Sequence, residues 1–253
     1  MNYYFAADVH LGLPPDEDSR KRERRFVNWL DSIKSDAEEI FLLGDIFDFW
    51  FEYKKVVPRG FVRTMGKLAE LTDSGIPVHF FAGNHDLWVS DYLQSELGVI
   101  FHPTDYTVNL CGQKFRMTHG DALNTGDKNQ ILLRWIFTNR YLRKTYAAIH
   151  PYVGLTFAHA WSKSNRQKHG SIEFSLDNPF YNRACEIAKE QNLDFFVMGH
   201  LHVPVNLPAN GFDYIVLPDW FSGGGYAVFD GKEMQIKFLN SDNQEPTKLN
   251  KAE

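Results

Sequence analysis

Six short apolar runs, each of four or five residues rich in β-forming side chains, end directly in a polar cluster. Uninterrupted apolar runs of this length are typical of strands that are buried on both faces of a sheet. Segments with helical spacing lie between several of them, and this alternation predicts an α/β fold with a largely parallel central sheet. The runs are Tyr3–Ala7, Ile40–Leu43, Val78–Ala82, Phe115–Thr118, Phe195–Met198 and Tyr214–Leu217.

Local signals between and after these runs predict the helices and one hairpin. Apolar spacing predicts a helix over residues 19–35 and another that ends at the stop signal of residues 75–77. Asn178 followed by Pro179 is typical of a helix N-cap and first turn. Near the C-terminus, the turn over residues 230–231 between two apolar runs predicts a β-hairpin.

The chain has 253 residues, of which 43% are hydrophobic, and this is enough to bury a substantial core. We predict a single domain over residues 1–240, followed by a polar tail over residues 241–253 that frays. No apolar run approaches the roughly 18–20 residues of a membrane span, and the first residues lack the basic region of a signal peptide. The two cysteines, Cys111 and Cys185, form no paired motif, which favours a reducing, cytoplasmic compartment.

Charge is unevenly distributed along the chain. The segment from Lys128 to Ile172 contains eight Lys or Arg residues and no Asp or Glu, which leaves 19 basic and 32 acidic residues elsewhere. It is also rich in aromatic residues, and its helical spacing places Leu132, Ile136 and Arg140 on one stripe. We therefore interpret residues 125–172 as an inserted helical lid that faces an anionic partner, either phosphate, nucleic acid or a membrane surface.

A plain helical insertion with an aromatic core would explain the aromatic residues of this lid, but not its lack of acidic ones. A lid over an amphiphilic anionic substrate explains both features, because apolar residues would hold acyl chains and cations would hold phosphates. A nuclease lid that stacks bases is an alternative. The long aliphatic residues of the segment argue against it, and no nucleic acid partner is expected.

The polar clusters that follow the strands are rich in metal-binding side chains. They are expected at the carboxyl ends of the strands, where α/β folds keep their sites. Their donors are carboxylate, amide and imidazole groups without any thiolate, a set that suits two divalent ions such as Mn²⁺, Fe²⁺ or Zn²⁺. Two ions about 3.5–4 Å apart, bridged by one carboxylate, would neutralise a phosphate ester and generate a nucleophile. The clusters are Asp8-x-His10, Gly44-Asp45-x-x-Asp48, Gly83-Asn84-His85-Asp86, His119-Gly120-Asp121 and Gly199-His200-x-His202.

In this order, the five clusters resemble the motifs DxH, GDxxD, GNHD, HGD and GHxH of the calcineurin-like metallophosphoesterases. One such cluster alone would usually mark an ordinary structural residue, but five ordered clusters over residues 8–202 are specific. The resemblance implies a layered sandwich of central β-sheets flanked by helices, and a metal-dependent phosphoester or anhydride hydrolase. It implies Asp8, His10, Asp45 and His202 as ligands of the first ion, and Asp45, Asn84, His119 and His200 as ligands of the second.

The same resemblance implies a role for two catalytic residues. Asp45 would bridge the two ions, and His85 would approach the phosphate or the leaving group of the substrate. We expect the remaining carboxylates of the motifs to orient ligands instead of binding metal. These carboxylates are Asp48, Asp86 and Asp121. Four of the five histidines outside the motifs are expected to be structural or surface residues, and they are His79, His102, His150 and His159.

Several local strings are similar to the branch of this family that hydrolyses the pyrophosphate of UDP-2,3-diacylglucosamine in lipid A synthesis. They read ADVHLG, FLLGDIFDFW, HGDALNTGDKNQ, RWIFTNRYLRK, SKSNRQK, GHLHVPV and VLPDWFSGGG. The similarity implies an amphiphilic nucleotide-sugar lipid as substrate, water attack on the UDP α-phosphorus, and Mn²⁺ as the metal. We also expect a monomer attached peripherally to the cytoplasmic face of the inner membrane. The implied substrate contacts are Asn84, His85, Asp127, Ser162, Lys168 and His200.

One position departs from that branch. Its well-known members carry Arg where this chain has His85, which is the residue of the generic phosphoesterases. The chain is therefore either a divergent member with the same substrate, or a relative that acts on another nucleotide, a phosphoprotein or another anionic lipid. A metal-bearing scaffold without catalysis would lack a ligand or this histidine, and the sequence retains them all.

Overall fold

The computed structural model describes residues 1–123, 128–156, 174–209, 211–221 and 223–239. It contains two β-sheets that pack face to face, with helices on the outer face of each. This α/β/β/α arrangement confirms the layered sandwich, and it shows two sheets where strand–helix alternation predicted one. The predicted tail and residues 157–172 of the predicted lid lie outside the described residues.

The strands are β1 (Asn2–Ala6), β2 (Ala37–Leu42), β3 (Val78–Phe81), β4 (Ile100–His102), β5 (Tyr106–Leu110), β6 (Gln113–Thr118), β7 (Phe195–Met198), β8 (Val205–Ala209), β9 (Phe212–Val216), β10 (Gly225–Phe229) and β11 (Met234–Phe238). The helices are α1 (Asp16–Ile33), α2 (Val62–Asp73), α3 (Tyr92–Leu97), α4 (Lys128–Thr138), α5 (Arg140–Ala147) and α6 (Pro179–Gln191). Residues 151–156 are also helical.

The first sheet has the strand order β11-β10-β1-β2-β3-β4, and its strands β1 to β4 run parallel. The predicted hairpin is formed by β10 and β11. Its strand β10 pairs antiparallel with β1 and so joins the hairpin to the first sheet. The second sheet has the order β5-β6-β7-β9-β8, with a parallel centre and antiparallel edges. The strands that sequence patterns missed, β4, β5 and β8, are all edge strands. Edge strands are half exposed and, as with Pro208 in β8, tolerate residues that a central strand excludes.

Phenylalanine side chains fill the space between the two sheets. Phe5 of β1 stacks on Phe41 of β2 with ring centroids 5.0 Å apart, and Phe115 of β6 stacks on Phe195 of β7 at 4.5 Å. The alternate residues of the same strands pack under the outer helices, so that each central strand is buried on both faces. Double burial explains why most of these strands are apolar runs in the sequence, although His79 interrupts β3 and Arg116 interrupts β6.

Polar residues at the helix ends behave in two different ways. The side-chain oxygen of Asn178 accepts the backbone N–H of Phe180 at 2.9 Å, which confirms the predicted N-cap of α6. Helix α1, in contrast, begins at Asp16, before the predicted start. The hydroxyl oxygen of Ser19 accepts the N–H of Gly12 at 2.7 Å, so this side chain holds the loop after β1 instead of opening the helix.

The lid helices correct the predicted apolar stripe. The chain leaves α4 at Asn139, whose side-chain oxygen accepts the N–H groups of Tyr141 and Leu142 at 2.9 and 3.2 Å. This N-cap begins a new helix, α5, so Arg140 does not continue the face of α4 that carries Leu132. Asparagine competes for backbone hydrogen bonds, which is why it breaks an otherwise helical pattern here.

A chain of polar side chains lies on the first sheet, across β2, β3 and β4. Nε2 of His79 lies 2.9 Å from the carboxylate of Glu39, and its Nδ1 lies 2.8 Å from Nε2 of His102. With both rings neutral, His79 donates to the carboxylate and accepts from His102. Burial lowers the pKa of His79 to about 4, and burial together with the neighbouring His79 does the same for His102. An added proton on Nδ1 of His79 would set two donors against each other, because Nε2 of His102 already donates to this nitrogen.

We expect the free energy of unfolding to fall as the pH falls from about 6.5 to about 4, because unfolded imidazoles take up protons that the folded ones refuse. In the double variant His79→Gln/His102→Gln, the loss between pH 7 and pH 5 should shrink by about 2 kcal/mol, discounted for the half-buried His102. Urea unfolding at the two pH values measures this difference. An identical pH dependence in both proteins would contradict it.

Candidate dimetal site

The five polar clusters meet at the carboxyl ends of the parallel strands of both sheets. Short backbone hydrogen bonds join the loops that carry them. The N–H of Asp8 donates to the carbonyl of Gly44 at 3.1 Å, and the N–H of His10 donates to the carbonyl of Asp45 at 2.9 Å. The N–H of Gly199 reaches the carbonyl of His119 at 3.1 Å, so the loops of the second sheet are joined in the same way.

One half of the site is built by the loops after β1 and β7. Oδ1 of Asp8 lies 3.2 Å from Nε2 of His202 and 3.8 Å from Nε2 of His10. The same His10 nitrogen lies 3.7 Å from Oδ2 of Asp45. The structure thus brings together the four side chains that the resemblance implies for one ion.

The other half is built by the loops after β2, β3, β6 and β7. Nε2 of His119 lies 3.4 Å from Oδ2 of Asp45 and 3.1 Å from the amide oxygen of Asn84. The ring of His200 lies 5.2 Å from that of His119, edge to face. Because Oδ2 of Asp45 is also close to His10, this carboxylate stands between the two halves of the site.

The donors fit a pair of divalent cations. Oδ1 of Asp8 and Nε2 of His10 are buried and have no hydrogen-bond partner among the described residues. Buried polar atoms without partners are costly, unless a cation satisfies them. Carboxylate, amide and imidazole groups without thiolate suit divalent ions of intermediate hardness. The described residues contain compact His and carboxylate groups that could each hold an ion, including Asp8, His10 and His202.

Backbone strain accompanies the site. Five of its residues have φ between 47° and 71°, a region that non-glycine residues seldom adopt and that costs free energy. They are Asp8, His10, Asp45, His200 and His202. This left-handed backbone turns each side chain toward the space between the loops. The sequence does not predict this backbone conformation.

Close backbone approach explains two of the motif glycines. A Cβ on Gly83 would collide with the backbone nitrogen and the carboxylate of Asp45. A Cβ on Gly199 would lie 2.7 Å from a carboxylate oxygen of Asp8. A side chain at either position would push a carboxylate out of the site. Glycine is therefore required at both positions, because it has no Cβ to collide with these carboxylates.

Neighbouring groups orient the imidazoles. Nδ1 of His119 lies 2.8 Å from the carbonyl oxygen of Leu43, and Nδ1 of His10 lies 3.5 Å from a carboxylate oxygen of Asp48. Nδ1 of His202 lies 3.8 Å from a carboxylate oxygen of Asp219. In each case Nε2 is the nitrogen turned toward the site. Asp219 was not among the predicted site residues, although it follows β9 just as the other clusters follow their strands.

The other two carboxylates that were predicted to orient ligands are Asp86 and Asp121. They bind backbone N–H groups and an arginine, respectively. Asp86 accepts N–H groups of Gly83 at 2.7 Å and of Ile46 at 2.9 Å, and longer ones from Asp45 and Phe47. It therefore holds the loops after β2 and β3 together. Burial and then the charge of Asp45 raise the pKa of Asp86 to about 7. The carboxylate of Asp121 pairs with Arg134 of helix α4.

Opposite charges stabilise each other within the site. Burial alone would raise the pKa of Asp45, but the imidazoles of His119 and His85 hold it well below its usual value. Burial alone would lower the pKa of His119, but the carboxylates of Asp45 and Asp8 hold it well above its usual value. His202 is raised in the same way by Asp8. The carboxylates therefore create a strongly cation-attracting centre.

His85 lies at the mouth of this centre, and its side chain is 22% exposed. Its backbone N–H donates to Oδ1 of Asp45 at 2.8 Å, and its Nδ1 lies 2.8 Å from the carbonyl oxygen of Asp48. A carbonyl can only accept, so Nδ1 carries a proton and Nε2 is turned inward, 4.0 Å from Oδ2 of Asp45. The predicted substrate contacts Asp127, Ser162 and Lys168 lie outside the described residues.

Helices α4 and α5 are attached to the loops of the site. The indole N–H of Trp88 donates to the carbonyl of Phe137 at 2.6 Å, and Arg143 donates to the carbonyl of Trp88 at 3.4 Å. Together with the Asp121–Arg134 ion pair, these bonds fix the helices beside the mouth. These two helices and the helical residues 151–156 expose large apolar side chains, among them Leu132, Trp135, Tyr141, Leu142, Tyr152 and Val153. Within the described residues, no helix has the length and apolar character needed to span a bilayer.

Comparisons with known proteins show what this chain is similar to. Residues 1–204 match the family model described as calcineurin-like phosphoesterase. A Porphyromonas gingivalis protein named UDP-2,3-diacylglucosamine hydrolase is 39% identical, over 93% of this chain and 97% of its own length. A Photobacterium profundum protein of the same name is 26% identical over 96% of this chain and 100% of its own. A dimetal phosphatase structure from Danio rerio aligns with a TM-score of 0.48 at 14% identity, over 94% of this chain and 95% of that one.

Replacing the shared carboxylate tests the site directly. We expect Asp45→Asn to lose most of the bound divalent metal and most of the hydrolytic activity, because the neutral amide cannot balance two like charges. The fold should persist, because the side chain keeps its size. Metal content per chain and turnover of bis-p-nitrophenyl phosphate measure the two effects, with the exposed Asp73→Asn as the matched control. Two bound metals and near-normal turnover in Asp45→Asn would rule out the assignment.

Proposed function

This chain belongs to the calcineurin-like phosphoesterase family, and from that premise we propose that it hydrolyses the pyrophosphate of UDP-2,3-diacylglucosamine. The family match confirms the resemblance drawn from the five motifs, and it makes the chain a hydrolase. The observation that supports this substrate assignment is the 39% identity, over nearly the whole chain, to a protein named for that hydrolysis. The products would be UMP and 2,3-diacylglucosamine 1-phosphate, which places the reaction in lipid A synthesis.

Seven side chains would hold the metal pair. We assign Asp8, His10 and His202 to one ion, Asn84, His119 and His200 to the other, and Asp45 to both. The distances of Oδ2 of Asp45 from His10 and from His119, 3.7 and 3.4 Å, support the shared role. Two divalent ions, most simply Mn²⁺, would neutralise phosphoryl oxygens and supply a nucleophile from water at neutral pH. The chain itself contributes the geometry, because its strained loops hold every donor before substrate arrives.

The reaction breaks one P–O bond and forms another. The oxygen of water joins the α-phosphorus of the UDP group, and the bond from this phosphorus to the bridging oxygen breaks. The bridging oxygen leaves with the sugar phosphate. Nε2 of His85 faces the site, and in its protonated form it would donate to this oxygen or to a phosphoryl oxygen. Asn84 and His200 lie at the same rim and would contact the phosphates.

Recognition of the lipid part would fall to residues 125–172. Helices α4 and α5 expose several large apolar side chains beside the mouth of the site. Exposed apolar patches of this kind usually mark a binding surface. Eight Lys or Arg residues accompany them over residues 128–172, a stretch without any Asp or Glu. We propose that this lid takes the acyl chains and rests on anionic headgroups at the cytoplasmic face of the inner membrane. On this proposal the enzyme works as a monomer at the membrane surface.

A product assay tests the substrate. The purified protein with Mn²⁺ should release UMP from UDP-2,3-diacylglucosamine and much less from UDP-glucosamine without acyl chains. A series of increasing acyl length should raise kcat/KM, since each buried CH₂ contributes about 0.8 kcal/mol. Equal rates across the series would contradict the lipid substrate and favour a general nucleotide phosphodiesterase. Preferential cleavage of single-stranded nucleic acid would favour a nuclease.

The role of His85 leads to a second expectation. His85→Ala should lower kcat by about 10²–10⁴-fold, the usual contribution of a general acid, while the metal content stays near normal. His85→Arg separates two possibilities, because Arg can contact phosphate but cannot give up a proton at neutral pH. Substantial activity in His85→Arg would show that the residue recognises charge. Metal loss as large as in Asp45→Asn would show that His85 is a ligand.

The lid is tested by an exposed side chain that is remote from the metals. Trp135, which is 58% exposed, should contact the lipid, so Trp135→Ala should lower kcat/KM for the acylated substrate by about 3–10-fold. Hydrolysis of bis-p-nitrophenyl phosphate should be unchanged, because no metal ligand is altered. Ile100→Ala, which removes an exposed apolar residue at the edge strand β4, is the control. Equal loss on both substrates would contradict a lipid-binding role.

A further inference from the structure

A second basic segment lies outside the predicted lid. Residues 53–69 contain five Lys or Arg residues and no Asp or Glu. Lys67 pairs with Asp31 and Glu70, and this leaves four cations that point into solvent. No ion pair is formed by these four within the part of the chain that the structure describes. They are Lys54, Lys55, Arg59 and Arg63, and residues 53–63 are named the basic turn below.

Exposed apolar side chains lie among these cations. Val56 is 48% exposed, and Val62, the first residue of α2, is 76% exposed. Neither is needed for the core, since α2 packs inward through Leu68 and Leu71. Cations interleaved with exposed aliphatic residues are typical of a surface that meets both headgroups and the edge of the acyl region.

The backbone presents the two lysines at the tip of the turn. Tyr53 and Val56 form an isolated antiparallel bridge, with the N–H of Tyr53 donating to the carbonyl of Val56 at 3.0 Å. Lys54 and Lys55 are the two residues between them. Both lysines are exposed at this position.

The base of the basic turn packs on the lid. The ring of Phe51 lies 4.7 Å from that of Tyr146 in α5 and 4.6 Å from that of Tyr53. A Cβ on Gly154 would lie 2.6 Å from the hydroxyl of Tyr53 and 3.1 Å from the hydroxyl of Tyr146. The residues just before this glycine, Tyr152 and Val153, are among the exposed apolar residues of the lid. The basic turn therefore extends the lid surface, although more than 60 residues separate it from α4 in sequence.

We propose that the basic turn is a second docking element for an anionic lipid bilayer, so that the enzyme contacts the membrane through the lid and this turn together. The proposal rests on the lipid substrate of the proposed function. Four cations that lack acidic partners provide charge complementarity to anionic headgroups, and the exposed valines provide the apolar contact. Two contacts would also fix the orientation of the site mouth toward the bilayer.

The test measures binding to vesicles without any substrate. Wild type and Lys54→Ser/Lys55→Ser are sedimented with phosphatidylcholine vesicles, and with vesicles in which about one third of the lipid is phosphatidylglycerol. On anionic vesicles we expect binding of the double variant to be about 10–30-fold weaker, from two charges near the surface. The difference should shrink as salt is raised. Val62→Ser should weaken binding in a way that salt does not change.

The control is Lys232→Ser/Lys237→Ser, which removes two exposed charges on and beside β11, at the opposite edge of the first sheet from β4. It should bind like wild type, and all variants should hydrolyse bis-p-nitrophenyl phosphate normally, which shows that they fold. Equal weakening by both double variants, or no anionic binding by wild type, would overturn the proposal. So would loss of single-stranded DNA binding with unchanged vesicle binding. A wild type that binds vesicles but does not hydrolyse the acylated substrate would instead defeat the proposed function.

Discussion

The buried carboxylate of Asp45 is the interaction on which the rest of the site depends. Its Oδ2 lies between His10 and His119, and its Oδ1 accepts the N–H of His85. A carboxylate buried this deeply is stable only with opposite charge around it. The adjoining features are arranged to keep it there: a left-handed backbone at Asp45 itself, a glycine at position 83 that leaves room for it, and Asp86 joining the two loops.

Chemistry and recognition are carried by different parts of the chain. The donors to the metals stand on loops at the ends of doubly buried strands, where the scaffold holds them firmly. The surfaces that we assign to the lipid, the lid and the basic turn, lie outside the sheets and are attached by few bonds. Trp88 and the Asp121–Arg134 pair connect the lid helices to the site loops. With this division, a change in the outer surfaces can alter the substrate without altering the metal centre.

Where sequence patterns failed, a side chain had a partner that local spacing does not show. Ser19 binds Gly12 instead of opening α1, and Asn139 ends the stripe of α4 by capping α5. The ion pair between Asp121 and Arg134 was likewise not visible in the sequence. Asp219 followed a strand, as the recognised clusters do, but it stood alone as a polar residue and matched no motif. Each of these choices is made by contacts between residues that are distant or ambiguous in sequence.

Residue patterns alone identify the strands at the centres of the two sheets, the α/β class and the side chains that could bind metal. They do so because double burial favours apolar runs, and because the motif spacing places donors directly after them. The packing of the folded chain, in contrast, divides these strands between two sheets and brings the loops after β1, β2, β3, β6 and β7 to one place. The same packing also sets the left-handed backbone of Asp8 and the contact between Tyr53 and the lid. Such features depend on packing between distant segments, and local residue patterns carry no information about that packing.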